Sequence, residues 1–415
     1  MLNKDNVREL AYVVTVDAIE PIEGKDRVEA AVIGGWRTMV RKGLFKPGDL
    51  GIYIEIDSKT PETAPFEFLS KYHYKVKTQK FKTFYSQGLL MHPSDFGWTV
   101  ESAQFAGGFV FVKDDKGNAH IPGKENMFLT KQLGITYALD SDNKRKAPSV
   151  DKYKKMAQRH PELFKKNWAR WMMKREWGKK VMFLFFGKAR DKQTGFPTHF
   201  PYIQKTDQER CENMQWVLED KTPFIVTQKC DGSSGTYILE RKPFGKFEFY
   251  VCSRNVRQLD EKQKCFYEEN YYWEVAKKYK IEEFLKDYLK KHPDIQYACI
   301  QGEICAPKIQ GNPHKLTETH FYGFHFIDSK NGKWDIRAAK ELWDKYGIQC
   351  VPIVNIRYIL PDNFEEFKQS ADGFYDSDVC EGWTQQPREG FVYYKTTDPN
   401  FSFKNVSRSY LLKHE

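Results

Sequence analysis

The sequence predicts an α+β protein in which a small antiparallel β-barrel precedes a larger domain of mixed strands and helices. Residues 8–60 alternate polar and apolar side chains at period two, and turn residues interrupt this alternation at intervals of about ten residues. Beyond residue 200, strand-like and helix-like patterns are mixed along the chain. The 415 residues are also too many for one typical domain, so two or three domains are expected.

The composition excludes several classes of protein. With 40% hydrophobic and 15% aromatic residues the chain can build real cores, which excludes wholesale disorder. No apolar run reaches the length of about 18 residues that spans a membrane, and the first residues lack the apolar core of a secretory signal. The eight cysteines form no Cys-x-x-Cys pair, which argues against a zinc site and for reduced thiols. We therefore expect no membrane contact and an intracellular protein, cytoplasmic or nuclear, or a viral protein in the host cytoplasm.

The barrel is predicted over residues 1–135. Lysine-rich aromatic strands are expected within residues 66–98, and the earlier strands at 12–16, 27–32, 36–40 and 50–56. With its Lys-Pro-Gly-Asp turn at 46–49 and a basic pair at 41–42, this stretch resembles the OB-fold modules appended to nucleic-acid enzymes. The resemblance implies an OB-type barrel that offers aromatic and basic groups to a nucleic-acid backbone. The alternative is a structural barrel with a merely solvated surface.

A basic segment, residues 136–195, carries the net charge of the chain. Residues 144–180 contain fourteen Lys or Arg against three acids, a net charge of +11, whereas the whole chain carries +10. Apolar residues near helical spacing from Val150 to Trp177 predict a helix that Pro161 interrupts. The segment either lies on the phosphates of a nucleic acid or forms a solvated amphipathic helix packed between domains.

The remaining unit, residues 196–415, is predicted to mix strands and helices. A capping signature at residues 206–209 predicts the start of a helix. Further helices are predicted at 261–279, 280–291 and 335–346. Strands are predicted at 224–229, 235–241, 246–254, 296–305, 320–328, 350–358, 389–395 and 401–404.

A lysine lies where the first of these strands turns into Asp231-Gly232. A lysine held at a strand end beside a tight turn can be partly desolvated, which lowers its pKa and makes the neutral amine available as a nucleophile. Lys229 is therefore the candidate catalytic residue. The alternative is a surface lysine before an ordinary Asp-Gly hairpin turn.

Several separated motifs follow Lys229 in order. They are Ser253-Arg254-Asn255, Gln301-Gly302-Glu303, the aromatic strand Phe321–Asp328, Glu389-Gly390-Phe391-Val392, and Lys404. This order and spacing resemble the covalent nucleotidyltransferase superfamily, which contains polynucleotide ligases and messenger-RNA capping enzymes. The barrel in front and the phrases at 203–207 and 403–407 resemble one group within it. That group is the ATP-dependent RNA ligases with an N-terminal OB domain and a C-terminal nucleotidyltransferase domain.

The resemblance implies an ATP-grasp-like ligase domain that joins 3′-hydroxyl and 5′-phosphate RNA ends, at nicks in duplex RNA. Lys229 would carry AMP as a covalent lysyl-AMP before the AMP passes to the 5′-phosphate. The implied cofactors are ATP and Mg²⁺ or Mn²⁺, with Asp231, Glu303 and Glu389 organising the metal directly or through its waters. RNA is the implied partner of a monomeric protein. The residues implied to bind the nucleotide are Gln228, Arg254, Glu303, Phe324, Lys395 and Lys404, with Lys205, Thr206 and Arg210 less directly.

Some of these residues have a second interpretation. Each glutamate of the motifs could be a strand-edge carboxylate in an ion pair. Phe324 could belong to the core, with Tyr322 or Phe326 as the aromatic ligand instead. Arg254 could simply pair with a carboxylate. Only the motif context favours the functional interpretation of these residues.

Three positions depart from the family pattern. Gln228 stands where many relatives have an acid that reads the adenine amino group, although its carbonyl can still accept that hydrogen bond. Tyr394 stands where a basic residue is expected, and Lys395, one residue later, would point to the other face of a strand. Ser402 replaces the first of two lysines expected at the last motif.

Two other functions are compatible with the sequence. One is a DNA-joining or end-adenylating ligase. The other is a catalytically silent relative that binds nucleic acid. Against the silent relative, the candidate nucleophile, the carboxylates and the terminal lysine are all intact.

Overall fold

The computed structural model describes most of the chain before residue 98 and after residue 199, and less of the stretch between. Most of the helix predicted from Val150 to Trp177 lies outside the described residues. The described residues are 1–2, 7–82, 84–97, 112–113, 119–120, 128–138, 163, 166–175, 177–179, 181–182, 194–197, 199–263, 267, 269–376, 379–380, 383 and 386–414.

The N-terminal part is built from short antiparallel strands, as the period-two alternation predicts. The strands are ordered β1–β5–β10, β2–β3–β4 and β13–β6–β7 in three sheets, with β8–β9 and β11–β12 as separate pairs. Their bounds are β1 (Ala11–Thr15), β2 (Ala18–Pro21), β3 (Val28–Ile33), β4 (Trp36–Arg41), β5 (Leu50–Ile54), β6 (Ser58–Lys59), β7 (Lys75–Val76), β8 (Gln79–Phe81), β9 (Phe84–Ser86), β10 (Leu89–Met91), β11 (Val112–Lys113), β12 (Ala119–His120) and β13 (Thr136–Tyr137).

Strand β1 buries both of its faces, because its apolar run lies between two cores. Successive side chains of a strand point to opposite faces. Ala11 and Val13 belong to the core that contains Ile52. Tyr12 and Val14 belong to the core that contains Trp36. A continuous apolar strand is what this double burial requires.

The C-terminal part contains two sheets that pack face to face. The larger is ordered β14–β19–β18–β17–β20–β21–β22, with β23 paired to β21, and the smaller is ordered β15–β26–β25–β16–β24. The bounds are β14 (Thr194–Gly195), β15 (Glu209–Arg210), β16 (Phe224–Gln228), β17 (Ser233–Arg241), β18 (Phe247–Ser253), β19 (Val256–Gln258), β20 (Tyr297–Cys305), β21 (His320–Asp328), β22 (Gly332–Lys333), β23 (Gln349–Cys350), β24 (Ile353–Tyr358), β25 (Gly390–Lys395) and β26 (Asp398–Val406).

Helices cover one face of the larger sheet and leave its other face to the smaller sheet. The helix-side core joins Ile300 of β20 to Phe284 and Trp343. On the opposite face, Tyr322 meets Val392 of the smaller sheet. The space between the two sheets is therefore where polar groups from both can converge. The helices are α1 (Asn167–Met173), α2 (Tyr271–Lys278), α3 (Ile281–Lys291), α4 (Ile336–Asp344), α5 (Phe364–Ser370) and α6 (Arg408–His414).

The helix predicted to start at residues 206–209 is wrong. The chain there is extended and forms β15, because the Asp207 carboxylate accepts hydrogen bonds from Arg8 and Lys404 rather than capping a helix. The helix predicted at 261–279 begins only at Tyr271, where Asn270 accepts the capping hydrogen bond. The predictions at 280–291 and 335–346 are confirmed by α3 and α4. Helices α5 and α6 were not predicted.

We expect Phe326→Ala to destabilise the protein by about 3–5 kcal/mol, because it opens a cavity in the helix-side core. Phe326 is 0% exposed in this core. Urea unfolding followed by tryptophan fluorescence measures the change. Phe244→Ala is the matched control, since Phe244 is 98% exposed. Equal unfolding midpoints for the two variants would contradict the packing described here.

Candidate active site

Lys229 follows directly on β16, a strand whose residues are all buried. The following turn runs very close to β20, and only glycine permits this approach. A Cβ on Gly232 would lie 2.4 Å from the carbonyl oxygen of Ile304 and 3.0 Å from Cγ of Glu303. The glycine therefore lets the turn bring Asp231 and Lys229 up to the larger sheet.

Lys229 lies among three carboxylates. Its Nζ is 2.6 Å from Oε1 of Glu389, and its side chain is 24% exposed. Burial alone would lower the pKa of Lys229, but Glu389, Glu303 and Asp231 outweigh burial and raise it above its ordinary value. The prediction of a lowered lysine pKa is therefore wrong for the protein by itself, because the acids around the amine favour its charged form.

The same crowding acts on two of the acids. Burial raises the pKa of Glu303 to about 8 against the opposing effect of Lys229, and Glu389 and Asp231 raise it further. Burial and Glu389 raise the pKa of Asp231 to about 7, against the opposing effects of Tyr410 and Lys229. The charged forms of these two acids are therefore disfavoured, and a cation bound beside them would lower both pKa values again.

The three acids do not converge as direct ligands of one metal ion. Among the described residues, no three His, Cys, Asp or Glu side chains come close enough to hold a metal. The Asp231 carboxylate accepts a hydrogen bond from the Tyr410 hydroxyl, and Glu389 is paired with Lys229. The involvement of Asp231, Glu303 and Glu389 with a metal ion, directly or through its water molecules, therefore stays a prediction.

Two buried polar groups near Lys229 lack protein partners. Gln228 is 1% exposed, and neither its Nε2 nor its Oε1 has a hydrogen-bond partner, but its cross-strand partner Phe391 packs in the core on the outer face of the smaller sheet, so Gln228 points away from the space between the sheets. Oε2 of Glu389 is also buried without one. Unpaired buried polar atoms are costly in a folded protein, so groups of this kind are typical of a site that a polar ligand completes.

A β-bulge decides which aromatic residue of β21 faces the smaller sheet. Gln301 pairs with His325 and the next residue, Gly302, pairs with Gly323, so Phe324 is the extra residue. Phe324 packs against the core between the two sheets. Phe326 is turned by the bulge into the helix-side core.

Tyr322, the other aromatic candidate on β21, already has a hydrogen-bond partner. Tyr322 is 6% exposed, and its hydroxyl accepts a hydrogen bond from Trp383 at 3.1 Å. Of the three aromatic candidates, Phe324 is thus the half-buried one that remains between the sheets. Beside it, His325 is 7% exposed and contacts Gln301 through Nδ1 at 3.0 Å.

Lys404 belongs to a group of three cations, two of them buried, that shares one carboxylate. Asp207 accepts from Nζ of Lys404 at 2.8 Å, from Nη2 of Arg254 at 2.9 Å and from Nε of Arg8 at 3.3 Å. Burial raises the pKa of Asp207, but these three cations outweigh it and hold the pKa well below its usual range. The pairing of Arg254 with a carboxylate, left open by the sequence, is therefore present.

The positive charge of Lys404 is only partly balanced by the carboxylate beside it. Burial lowers its pKa most, Arg8, Arg210 and Lys229 lower it further, and Asp207 only partly compensates, which leaves the pKa at about 7. An anion added beside Lys404 would raise this pKa again. The electrostatics of this end of the site therefore favour a phosphate.

Lys395 does not reach this site. It pairs with Phe224 in the sheet, four residues along from the Gln228–Phe391 pair, which is about 13 Å at the usual rise of a strand. Its Nζ is bound to Asp220 at 2.5 Å instead. The prediction that Lys395 binds the nucleotide is therefore not supported by its position, because the register of β25 carries it to the far end of β16.

The weaker candidates Lys205 and Thr206 line a neighbouring cavity of about 690 Å³, together with His325 and Ser402. The hydroxyl of Thr206 is hydrogen-bonded to the hydroxyl of Ser234. A third weaker candidate, Arg210, is 4% exposed and bonds to Asp57 of the N-terminal part at 2.7 Å. Its position supports the contact between the two parts of the chain.

Sequence reasoning missed four residues of the site. Asp207 lies in the pattern at residues 206–209, which predicts a helix cap rather than a residue of the site. His314 accepts from the backbone N–H of Asp231 at 3.2 Å, and Tyr410 binds the carboxylate of the same residue. Arg8 reaches the site from the N-terminal part. No local signal marks the last three, because each contact joins residues far apart in sequence.

The fold and this site are those of a ligase, and comparison with known proteins agrees. Residues 222–408 match the family model for RNA ligase, and residues 10–93 match a model described as an OB-fold domain. The chain belongs to the RNA ligase family, in the group that carries an OB-fold domain in front of the ligase domain. It is therefore an enzyme, and the antiparallel sheets of its N-terminal part correspond to the predicted OB-type fold.

Solved structures of a protein from Naegleria gruberi are similar along nearly the whole chain. A lysine-to-alanine mutant of Naegleria gruberi RNA ligase with ATP and Mn is 26% identical, with a TM-score of 0.68 and coverage of 98% of both chains. An apo aspartate-to-alanine mutant of the same ligase is 27% identical, with a TM-score of 0.67 and coverage of 98% of both chains. A lysine-to-methionine mutant with AMP and Mn is 26% identical, with a TM-score of 0.66 and coverage of 98% of this chain and 99% of that chain.

Two comparisons are negative. No curated protein sequence matches the chain. In the part of the chain that the structure describes, no helix is both long enough and apolar enough to cross a membrane.

We expect Asp207→Asn to destabilise the protein by about 3–5 kcal/mol at pH 7, because the buried cations Lys404 and Arg8 lose their shared counter-charge. The native pKa of Asp207 is depressed, so this stabilisation is present above the unfolded pKa of about 4 and is lost as the pH falls below it. Urea unfolding of both proteins at pH 7 and near pH 3 measures the difference.

The control for this variant is Asp362→Asn. Asp362 is 94% exposed and pairs with one lysine, so its loss should cost less than about 0.5 kcal/mol. A cost for Asp207→Asn no larger than that of Asp362→Asn at pH 7 would show that the cation group does not depend on this carboxylate.

Proposed function

We propose that this enzyme is an ATP-dependent RNA ligase that joins 3′-hydroxyl and 5′-phosphate ends through a covalent AMP on Lys229. The observation that carries the proposal is the position of Lys229. It lies at a strand end between a group of carboxylates, led by Glu389 at 2.6 Å, and the buried cations around Lys404. An amine flanked by a cation-binding side and an anion-binding side is suited to attack a metal-bound phosphate.

In the first step, the neutral amine of Lys229 attacks the α-phosphorus of ATP. The new N–P bond forms as the bond from the α-phosphorus to the bridging oxygen breaks, and pyrophosphate leaves with that electron pair. Lys229 must first lose a proton, and Glu389 is the acceptor in contact with its Nζ. Lys404 then lies where it can neutralise the charge that builds on the α-phosphate.

The nucleotide would lie between the two sheets. Phe324 supplies a ring for stacking on the base. Glu303 would hold the ribose, and Arg254 would exchange its contact with Asp207 for a ribose or phosphate oxygen. Lys205 and Thr206 line the adjoining cavity. The structure of a relative solved with ATP and Mn supports this nucleotide.

The divalent cation, Mg²⁺ or Mn²⁺, would neutralise the phosphates and the acids around Lys229. The raised pKa values of Glu303 and Asp231 support a cation there, and we propose that it contacts the acids through its own water molecules. Positive charge among these acids would also lower the pKa of Lys229 toward the neutral form that attacks.

Two further displacements complete the reaction. An oxygen of the RNA 5′-phosphate attacks the phosphorus of the lysyl-AMP, the N–P bond breaks, and Lys229 leaves as an amine that takes up a proton. The 3′-hydroxyl then attacks the activated 5′-phosphate, loses its proton and expels AMP. We propose nicked duplex RNA as the substrate, with the OB-fold region and the basic segment holding the duplex.

We propose that the chain consists of an OB-fold domain at residues 1–135, the basic segment at 136–195 and an adenylyltransferase domain at 196–415. The family matches at 10–93 and 222–408 lie inside the first and third of these units. The first and third also contact one another, since Arg8 bonds to Asp207 and Arg210 bonds to Asp57. We propose that the protein acts as a monomer inside a cell.

Incubation with α-labelled ATP and Mn²⁺ or Mg²⁺ tests the first step. We expect the label to remain on the denatured wild-type protein and to add the mass of one AMP to the intact chain. Lys229→Ala should retain none. Lys395→Ala is the matched control and should retain the label at about the wild-type level, because Lys395 pairs with Asp220 at the far end of β16.

The same experiment separates this function from a catalytically silent RNA-binding relative. Wild-type protein that carries no label with either metal would exclude the proposed chemistry. Label on Lys229→Ala would show that another residue is the nucleophile. Loss of label in Lys395→Ala would mean that β25 changes register when nucleotide binds.

Nicked duplexes with RNA or DNA at the 3′-hydroxyl side test the substrate. We expect sealing of the RNA nick to be faster by about tenfold or more, since the 2′-hydroxyl gives the enzyme an additional group to bind. Gel analysis of single-turnover reactions with the adenylated enzyme measures both rates. Equal or faster sealing of the DNA nick would favour a DNA-joining ligase, and accumulation of adenylated 5′ ends without sealing would favour an end-adenylating enzyme.

A further inference from the structure

Three tryptophans lie exposed together in the described part of the basic segment. Trp168 is 51% exposed, Trp171 49% and Trp177 54%. The segment has its own small core, in which Ala169 and Met182 are buried and methionines pack around them. The indoles are therefore left outside this core. Monomeric proteins seldom group large apolar rings at the surface without a binding role.

These rings are held in a defined arrangement. Trp171 and Trp177 meet edge to face, with ring centroids 6.0 Å apart at 82°. The guanidinium of Arg175 lies 3.7 Å from the ring centroid of Trp171, and its Nη1 donates to the carbonyl of Trp171 at 3.3 Å. Trp168 precedes Trp171 by three residues on α1, so the two share one helix face. We call Trp168, Trp171, Arg175 and Trp177 the indole surface.

The stretch of sequence that contains the indole surface is strongly basic. Residues 144–180 carry a net charge of +11 in a chain of net charge +10, so the remainder is close to neutral. Lys166 and Lys174, which flank α1, are exposed. A partner that suits both features has flat apolar rings and a regular negative charge. An unpaired stretch of nucleic acid has both, since its bases stack on aromatic rings and its phosphates meet lysine and arginine.

A membrane surface suits the same residues less well. Tryptophan and lysine are also common at lipid interfaces, but there the apolar face must be free to enter the lipid. Arg175 lies over the ring of Trp171 and would carry its charge into that layer. A stacked guanidinium is instead a good neighbour for a base and a phosphate.

We propose that the indole surface binds unpaired nucleotides of the RNA substrate, with Lys166 and Lys174 on the adjoining phosphates. This inference rests on the proposed function for the identity of the substrate. It specifies which residues of the basic segment, proposed above to hold the duplex, contact unpaired nucleotides beside the nick. Substrates that carry a single-stranded stretch beside the nick would then bind more tightly than fully paired ones.

Fluorescence anisotropy with labelled nicked RNA duplexes, with and without a single-stranded extension, tests the proposal. We expect Trp168→Ala and Trp177→Ala each to weaken binding of the extended RNA by about fivefold or more. Trp168→Phe should stay within about threefold of wild type, because it keeps an aromatic ring. Lys166→Ala and Lys174→Ala should each reduce the slope of log Kd against log salt by about 0.7.

The matched control is Trp216→Ala, which removes a tryptophan of similar exposure, 55%, from the ligase domain. It should leave RNA binding unchanged. Labelling of each variant with ATP in the absence of RNA should also be unchanged. Absence of label from the wild type would count against the proposed function alone, whereas the RNA affinities test the indole surface separately.

Unchanged RNA affinity in Trp168→Ala and Trp177→Ala would overturn the proposal. So would an equal loss in Trp168→Phe and Trp168→Ala, since stacking would then not be the cause. Sedimentation with vesicles of phosphatidylserine and phosphatidylcholine tests whether the indole surface binds a membrane instead. Vesicle binding that is lost in the tryptophan variants, with RNA affinity intact, would show that the surface binds lipid instead.

Discussion

The ion pair between Lys229 and Glu389 is the interaction on which the site depends. The two residues come from neighbouring antiparallel strands, and their 2.6 Å contact lies where β16 ends and β25 begins. Because the strands are paired, the lysine and the glutamate meet whenever the sheet forms. The pair holds the amine in position and also favours its protonated form.

The rest of the site completes the charge balance around this pair. On one side are carboxylates with raised pKa values, and on the other is the cation group that shares Asp207. Each side lacks the charge that a metal–nucleotide complex would bring, since the metal suits the acids and the phosphates suit the cations. Asp207 is the carboxylate that these cations share, and it links the N-terminal part to the ligase domain through Arg8.

The sequence alone supported much of the fold, for identifiable reasons. Strands such as β17 and β20 are long and buried, and helices α3 and α4 have clear apolar faces, so their periodicity is visible locally. The errors arose where a distant contact overrode a local signal. Residues 206–209 have the pattern of a helix start, yet the Asp207 carboxylate accepts from Lys404, almost 200 residues away, and the backbone stays extended.

For the site, the sequence determined the identity and order of the reactive groups, because Lys229, Glu303, Glu389 and Lys404 stand in a recognisable series. Only the tertiary structure decided which groups meet. Strand register moved Lys395 to Asp220, and a bulge turned Phe324 toward the smaller sheet. The physical reason is that strand register, a bulge and the pairing of buried charges depend on neighbours in space, which the order of residues along the chain does not specify.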